Sequence, residues 1–166
     1  MDRGKELVID FLLHDEQDTA RLARAVAAVL RPCDCLTLSG TLGAGKTTFM
    51  RYLLKALGHK GEVISPTFVL VQEYPLQVRQ QKTTLYHVDA HRLERAEDCE
   101  ELGLADMLEN GILCVEWPQI CADRLPNDAI HLTLEAQKEH RHARLDCNTR
   151  QDERERIKAA FDDSAT

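Results

Sequence analysis

The residues best suited to chemistry lie in the stretch LSGTLGAGKTTF, at positions 38–49. Gly40, four further residues and then Gly45-Lys46-Thr47 complete the pattern G-x-x-x-x-G-K-[ST]. Glycines let such a loop direct its backbone N–H groups at phosphate oxygens, while the lysine contacts the β- and γ-phosphates and the threonine hydroxyl binds Mg²⁺. We therefore predict a phosphate-binding loop (P-loop). Its predicted cofactor-binding residues are Gly43, Ala44, Gly45, Lys46, Thr47 and Thr48.

A P-loop that binds Mg²⁺ also needs a nearby carboxylate, and two apolar stretches end in one. LYHVD ends at Asp89 and ILCVE ends at Glu116. The last residue of a buried strand emerges at the edge of the sheet where phosphates bind, so either side chain is a candidate. Spacing does not choose between them, because Glu116 follows the longer apolar run whereas aspartate is the commoner residue in this role.

Two neighbouring segments offer further candidates, each with a plainer alternative. His87, Asp89 and His91 alternate, so an extended strand would place them on one face as a possible transition-metal site; the alternative is that Asp89 ends the strand. In SPTF, Pro66 holds Ser65 extended, and Thr67 could sense a γ-phosphate as loop threonines do in nucleotide switches. The alternative for SPTF is an ordinary turn before a strand.

Apolar periodicity predicts the elements that position these residues. Strands are predicted at 5–13, 36–40, 67–74, 83–89, 112–116, 129–136 and 142–147, with residues 75–82 as a hairpin connection. Helices are predicted at 14–30, 47–57, 97–111 and 151–161. This order predicts an α/β fold, a single P-loop NTPase-like domain with a mixed β-sheet flanked by helices. Residues 1–150 would form the ATPase domain, and residues 151–166 a C-terminal helix and tail.

Composition narrows the class of protein. A net charge of −7 argues against a stand-alone nucleic-acid-binding protein, which needs clustered Lys and Arg. No apolar run approaches the roughly 18 residues of a membrane span, and the N-terminus lacks the features of a signal peptide, so we expect a cytoplasmic protein without membrane contact. The six cysteines contain no C-x-x-C pair, and we expect them to be reduced structural thiols.

The order and spacing of GTLGAGKTTF, SPTF, YHVDAHRL, EELG and VEWPQ closely resemble the bacterial TsaE family across roughly residues 10–147. That family comprises P-loop ATPases of the machinery that makes threonylcarbamoyladenosine on tRNA. The resemblance implies Mg²⁺ between Thr47 and Glu116, with Lys46, Asp89, Thr67 and Glu116 as catalytic or switch residues. It also maps a D-x-Y-R element onto residues 89–92, where His91 replaces the tyrosine, and seats adenine near residues 15–19.

The resemblance further implies ATP as cofactor and a TsaB–TsaD-like protein pair as partner, with tRNA contacted only through that pair. The ATPase would be weak alone, activated by the pair, and would reset it for another turnover. Arg92 is a candidate arginine finger in cis. Two alternatives remain: a small-molecule kinase, which would need an acceptor pocket, and a non-catalytic binding module gated by nucleotide.

Overall fold

The protein is described here from a computed structural model, which covers residues 8–147 and 150–164 apart from the side chain of Thr67. The strands are β1 (Val8–Leu13), β2 (Cys35–Ser39), β3 (Val71–Val78), β4 (Gln81–Asp89), β5 (Gly111–Glu116), β6 (Ile130–Ala136) and β7 (Arg141–Asp146). The helices are α1 (Glu16–Ala27), α2 (Lys46–Ala56), α3 (Ala96–Glu101), α4 (Leu104–Asn110) and α5 (Gln151–Asp163). Short 3₁₀ segments cover Pro66–Phe68, Ala90–Arg92 and Pro118–Arg124.

The seven strands form one sheet in the order β1-β7-β6-β2-β5-β4-β3. Its central strands β6, β2, β5 and β4 run parallel, whereas β3 at one edge and β7 and β1 at the other are antiparallel to their neighbours. This mixed sheet with helices confirms the predicted α/β fold. The carboxyl ends of the parallel strands meet at one edge, which is where such sheets bind ligands.

Both faces of the sheet are covered, so β5 is buried along its whole length. On β5, Ile112 and Cys114 belong to the core beneath α1, α2 and α5. Leu113 and Val115 belong to the opposite core, which α3, α4 and the 118–124 segment cover. Because side chains alternate along a strand, this parity decides which face each functional residue reaches.

Local sequence explains where the helices begin and end. The carboxylate of Asp15 accepts the N–H of Asp18 and caps α1. Helix α2 ends before Gly58. The φ of Gly58 is 93°, a left-handed conformation that suits a glycine after the end of a helix. Helix α5 packs against α1, where Arg21 Nη2 donates to the Phe161 carbonyl at 2.6 Å. It also contacts β1, because the ring centroids of Phe161 and Phe11 lie 4.8 Å apart.

The predicted strand at 67–74 and connection at 75–82 are wrong. Residues 66–68 form a 3₁₀ turn, β3 extends to Val78, and only Arg79 and Gln80 connect β3 to β4. Pro75 suggests a break, but it is tolerated because β3 is an edge strand. Both turn residues have positive φ, at 50° and 66°, without the glycine or asparagine that normally marks such a turn.

The expectation that all six cysteines are reduced is also wrong. Cys99 in α3 and Cys121 in the 118–124 segment form a disulfide, with Cα atoms 5.9 Å apart. The two positions are 22 residues apart in sequence and meet only because α3 packs on that segment. Cys33, Cys35, Cys114 and Cys147 are free thiols, and all except Cys33 are buried.

The predicted first strand begins within the described residues at Val8, so its positions 5–7 lie outside them, as do residues 165 and 166 of the tail. Among the helices described, none is both long enough and apolar enough to cross a lipid bilayer.

Candidate nucleotide-binding site

The predicted P-loop connects β2 to α2 at the carboxyl edge of the sheet. Gly40, Gly43 and Gly45 all have positive φ, at 141°, 80° and 109°. Position 40 accommodates only glycine easily, because a Cβ there would lie 2.3 Å from the Leu134 carbonyl oxygen. Gly45 is the N-cap of α2, so the loop delivers the positive end of that helix to the pocket.

The pocket itself has a volume of about 420 Å³. Most of the predicted cofactor-binding residues line it, namely Gly43, Gly45, Lys46, Thr47 and Thr48. Ala44 is the exception, because its side chain is buried in the core and its backbone N–H donates to the Thr41 carbonyl at 3.1 Å. The remaining lining residues are Leu42, Ser65, Asp89, His91, Glu116, Trp117 and Arg141.

Lys46 is held inside the loop. Its Nζ donates to the carbonyls of Gly40 at 2.7 Å and Thr41 at 3.1 Å, and only 6% of the residue is exposed. Burial lowers the pKa of this ammonium, and the nearby Glu116 and Asp89 act against that shift. Backbone carbonyls therefore position the ammonium group of Lys46 near the carboxylates of Glu116 and Asp89.

Asp89 and Glu116 lie side by side at the ends of two parallel strands. Asp89 of β4 is in register with Glu116 of β5, and the two are 4% and 5% exposed. Glu116 shares strand parity with Cys114, so it lies on the face of the sheet that α2 covers. The sequence left these carboxylates as alternatives, and both line the pocket. Two buried carboxylates at one point are costly without a cation or hydrogen-bond donors.

His87 supports Glu116 from within the sheet. Its Nε2 is 2.8 Å from Glu116 Oε1, and the imidazole is fully buried. Nδ1 of the same ring is buried without a hydrogen-bond partner among the described residues. His87 therefore fixes the orientation of the glutamate. Sequence reasoning noticed His87 only as a possible metal ligand, and no group of three or more His, Cys, Asp or Glu suited to a metal occurs in the described parts of the chain.

Trp117 forms one wall of the pocket. Lys46 Nζ lies 4.3 Å from its ring centroid, and the His91 ring lies 4.9 Å from it. Trp117 has φ 55° and ψ 56°, an uncommon conformation for a bulky side chain. The backbone N–H of His91 also donates to Asp89 Oδ1 at 2.9 Å. Trp117, directly after β5, and His91, two residues after the end of β4, therefore help to order the pocket.

The SPTF segment reaches the pocket through Ser65. Pro66 starts the 3₁₀ turn, and the Asp89 N–H donates to the Leu70 carbonyl at 2.9 Å, which ties the segment to the end of β4. The side chain of Thr67 lies outside the described parts of the structure, so its predicted role stays a prediction.

Among the arginines, the structure selects one that sequence reasoning did not. Arg92 is exposed and does not line the pocket, whereas Arg141 of β7 does. Arg141 occurs in EHRHAR, a polar turn that carries no recognisable signal for phosphate binding. Residues 15–19, expected near adenine, form the N-cap and first turn of α1 and do not line the pocket.

This pocket combines loop amides, an ammonium, hydroxyls and two carboxylates. Carboxylate and hydroxyl oxygens are ligands that Mg²⁺ prefers, and an ammonium with helix N–H groups suits phosphate. The Thr47 hydroxyl with Asp89 and Glu116 thus fits a hard divalent cation. The arrangement can hold a metal–polyphosphate complex and stabilise negative charge that develops on it.

The chain is similar to known proteins of one family. Residues 13–144 match the family described as threonylcarbamoyl adenosine biosynthesis protein TsaE. The TsaE protein of Rickettsia felis is 37% identical over 131 residues, which cover 78% of this chain and 74% of the relative. That of Aquifex aeolicus is 41% identical over 116 residues, covering 69% and 80%. The crystal structure of Bacillus subtilis YdiB has the same fold, with a TM-score of 0.72 at 24% identity over 96% of this chain and 97% of that one.

Proposed function

The chain belongs to the TsaE family of threonylcarbamoyl adenosine biosynthesis proteins, and from this premise we propose that it is a Mg²⁺-dependent ATPase of tRNA modification in the cytoplasm. It acts on a TsaB–TsaD-like protein pair and resets that pair for another turnover. It contacts tRNA only through the pair, in keeping with its net charge of −7.

One observation carries the proposal: Asp89 and Glu116 are in register at adjacent strand ends and line the same pocket as Lys46. A protein that only bound phosphate would gain nothing from two buried carboxylates beside it, because they repel the ligand. A metal–nucleotide complex resolves that conflict. Its metal would take further ligands from phosphate oxygens, since Thr47 and Glu116 supply only part of a six-coordinate shell.

Each residue then has a defined task. The loop N–H groups and Lys46 would bind the β- and γ-phosphates, and Thr47 and Glu116 would hold Mg²⁺, which would supply further positive charge for phosphoryl transfer. Asp89 and Thr67 orient the attacking water and respond to the γ-phosphate. His87 keeps Glu116 in place through its 2.8 Å hydrogen bond.

An apolar rim around the pocket supports a protein partner. Four of the large apolar side chains that are exposed are Leu42, Ile64, Phe68 and Val69. Leu42 is in the P-loop and lines the pocket. Phe68 lies in the 66–68 turn and Ile64 and Val69 lie close to it, in the segment whose Ser65 also lines the pocket. Exposed apolar residues grouped in this way are typical of an interaction site. A partner that bound there would also cover the nucleotide.

The proposal is tested by phosphate release from ATP with and without the TsaB–TsaD pair. We expect weak activity alone and a clear increase with the pair. Glu116→Gln should lower the stimulated rate roughly 100-fold, and Asp89→Asn should also lower it, whereas Glu135→Gln on the exposed part of β6 should leave it unchanged.

Three results would count against this function. Equal rates with and without the pair would remove the proposed activation. Hydrolysis that depended on an added nucleoside or other acceptor would indicate a small-molecule kinase. If the wild type showed no turnover with the pair but Lys46→Ala weakened docking, ATP would act only as a conformational ligand.

A further inference from the structure

Arg141 and the two carboxylates approach the nucleotide pocket from opposite sides of strand β2. It is the first residue of β7 and pairs with Ala136 of β6 and Leu13 of β1. Strand β6 lies on one side of β2, and β5 and β4 lie on the other. The P-loop follows β2, so Arg141 and the two acidic residues approach it from different directions.

The Arg141 side chain lies across the start of α2. A Cβ added at Gly45 would be 3.2 Å from Arg141 Nε and 3.3 Å from its Cδ, so the absence of a side chain at Gly45 makes room for the arginine. Gly45 is the N-cap of α2. The guanidinium group thus lies beside the N-terminus of α2, which itself favours an anion.

The hydrogen bonding of Arg141 is incomplete within the described parts of the protein. Its Nε is buried without a hydrogen-bond partner there. Other arginines near the same strand are satisfied: Arg144 Nε is 3.0 Å from Asp10 Oδ1, and Arg150 Nη1 is 3.0 Å from Asp34 Oδ1. A buried donor without an acceptor is costly, and a guanidinium group is best satisfied by a carboxylate or a phosphate.

We propose that Arg141 is a nucleotide-binding residue whose guanidinium group contacts a phosphate of the bound nucleotide. The inference rests on the proposed function, since it assumes that the pocket takes a nucleotide. Its planar array of donors suits phosphate oxygens, and its charge complements that of Lys46. Arg141 thereby gives the chain an arginine in cis at this site, in place of the exposed Arg92.

The test measures binding of ADP and of inorganic pyrophosphate to the full chain in the presence of Mg²⁺. Arg141→Gln should weaken both ligands by about 10- to 100-fold. Arg141→Lys, which keeps the charge but loses the planar fork, should give a smaller loss. Arg144→Gln is the matched control, because it removes the same charge from the same strand at the Asp10 ion pair, and should bind as the wild type does.

Thermal unfolding of the ligand-free variants separates binding from stability. Because Nε has no hydrogen-bond partner among the described residues, Arg141→Gln should unfold at the wild-type temperature. Arg141→Lys provides the test if the glutamine variant does not fold. Wild-type affinity in both variants would overturn the assignment. So would a loss for ADP but not for pyrophosphate, which would place the guanidinium on the base. A wild type that bound neither ligand would refute the proposed function and this assignment with it.

Discussion

Glu116 shows how a single residue acquires its role from its surroundings. Strand parity brings it to the α2 face, register places it beside Asp89, and His87 holds its carboxylate at 2.8 Å. The first two conditions were foreseeable in part, since ILCVE and LYHVD both end in an acid after apolar residues. The contact with His87 was not, because His87 and Glu116 are 29 positions apart in sequence and meet only through the pairing of β4 with β5.

At the scale of single residues we predict that His87→Ala lowers the rate of ATP hydrolysis, because it weakens the binding of Mg²⁺ by Glu116. Loss of a residue that orients a metal ligand typically costs about 10- to 100-fold in metal affinity. The Mg²⁺ concentration for half-maximal ATP hydrolysis should therefore rise by about that factor, in assays with the TsaB–TsaD pair.

His142→Ala is the control for this change, since His142 pairs with Asp10 at 3.1 Å on the far side of the sheet. An unchanged Mg²⁺ dependence in His87→Ala would mean that Glu116 needs no support from this imidazole.

Arg141 marks the limit of residue-level prediction. The P-loop could be predicted because its chemistry is contained in eight consecutive positions, 40–47. Arg141 lies about a hundred residues further along the chain and reaches Gly45 only through the order β7-β6-β2. No local pattern in EHRHAR reports that strand order.

At the scale of elements, errors arose where tertiary contacts override local signals. The long β3–β4 hairpin was hidden by Pro75 and by a turn at Arg79 and Gln80 that lacks glycine. Every residue of β3 nevertheless pairs with β4, and Tyr74, Leu76 and Val78 are buried on one face. The free energy gained by burying that face outweighs the cost of a turn without glycine. Elements with strong caps, such as α1 after Asp15, were predicted well.

The Cys99–Cys121 disulfide links α3 to the segment that follows Glu116 and Trp117. Closing a loop of this length stabilises a folded chain by roughly 3 kcal/mol. We expect reduction with dithiothreitol, or the Cys99→Ala/Cys121→Ala double change, to lower the free energy of urea unfolding by about that amount. The proposed cytoplasmic location would keep most thiols reduced, so ATPase assays should be made in both redox states.

The double variant also serves as the control, because dithiothreitol should have no further effect on it. An unfolding midpoint that was the same for oxidised and reduced wild type would show that the bond contributes nothing to stability.

For the whole molecule, the buried free thiols predict loss of stability in alkali. Burial raises the pKa of Cys35 to about 12 and that of Cys147 to about 11, and raises that of Cys114 well above its ordinary value. Above pH 9 the unfolded chain loses these protons while the folded chain keeps them, so unfolding becomes more favourable as pH rises. The lowered pKa of Lys46 acts in the opposite sense on a single group.

Each buried thiol should therefore subtract up to about 1.4 kcal/mol per pH unit above pH 9. Urea unfolding at pH 8, 9 and 10 measures this slope, and Cys147→Ala should reduce it. Val26→Ala, a buried change of similar size without a proton, should lower stability equally at each pH. A Cys147→Ala slope equal to that of the wild type would contradict the assignment to this thiol.

Pro75 has a consequence beyond the hairpin. Strand β3 is one of the two outer edges of the sheet, and unpaired edges are places where proteins join strand to strand and aggregate. Strand β3 is paired with β4 throughout, and an edge strand tolerates proline. Pro75 has no N–H to offer to an incoming strand. The residue that obscures β3 in the sequence is thus one that keeps this edge of the sheet from polymerising.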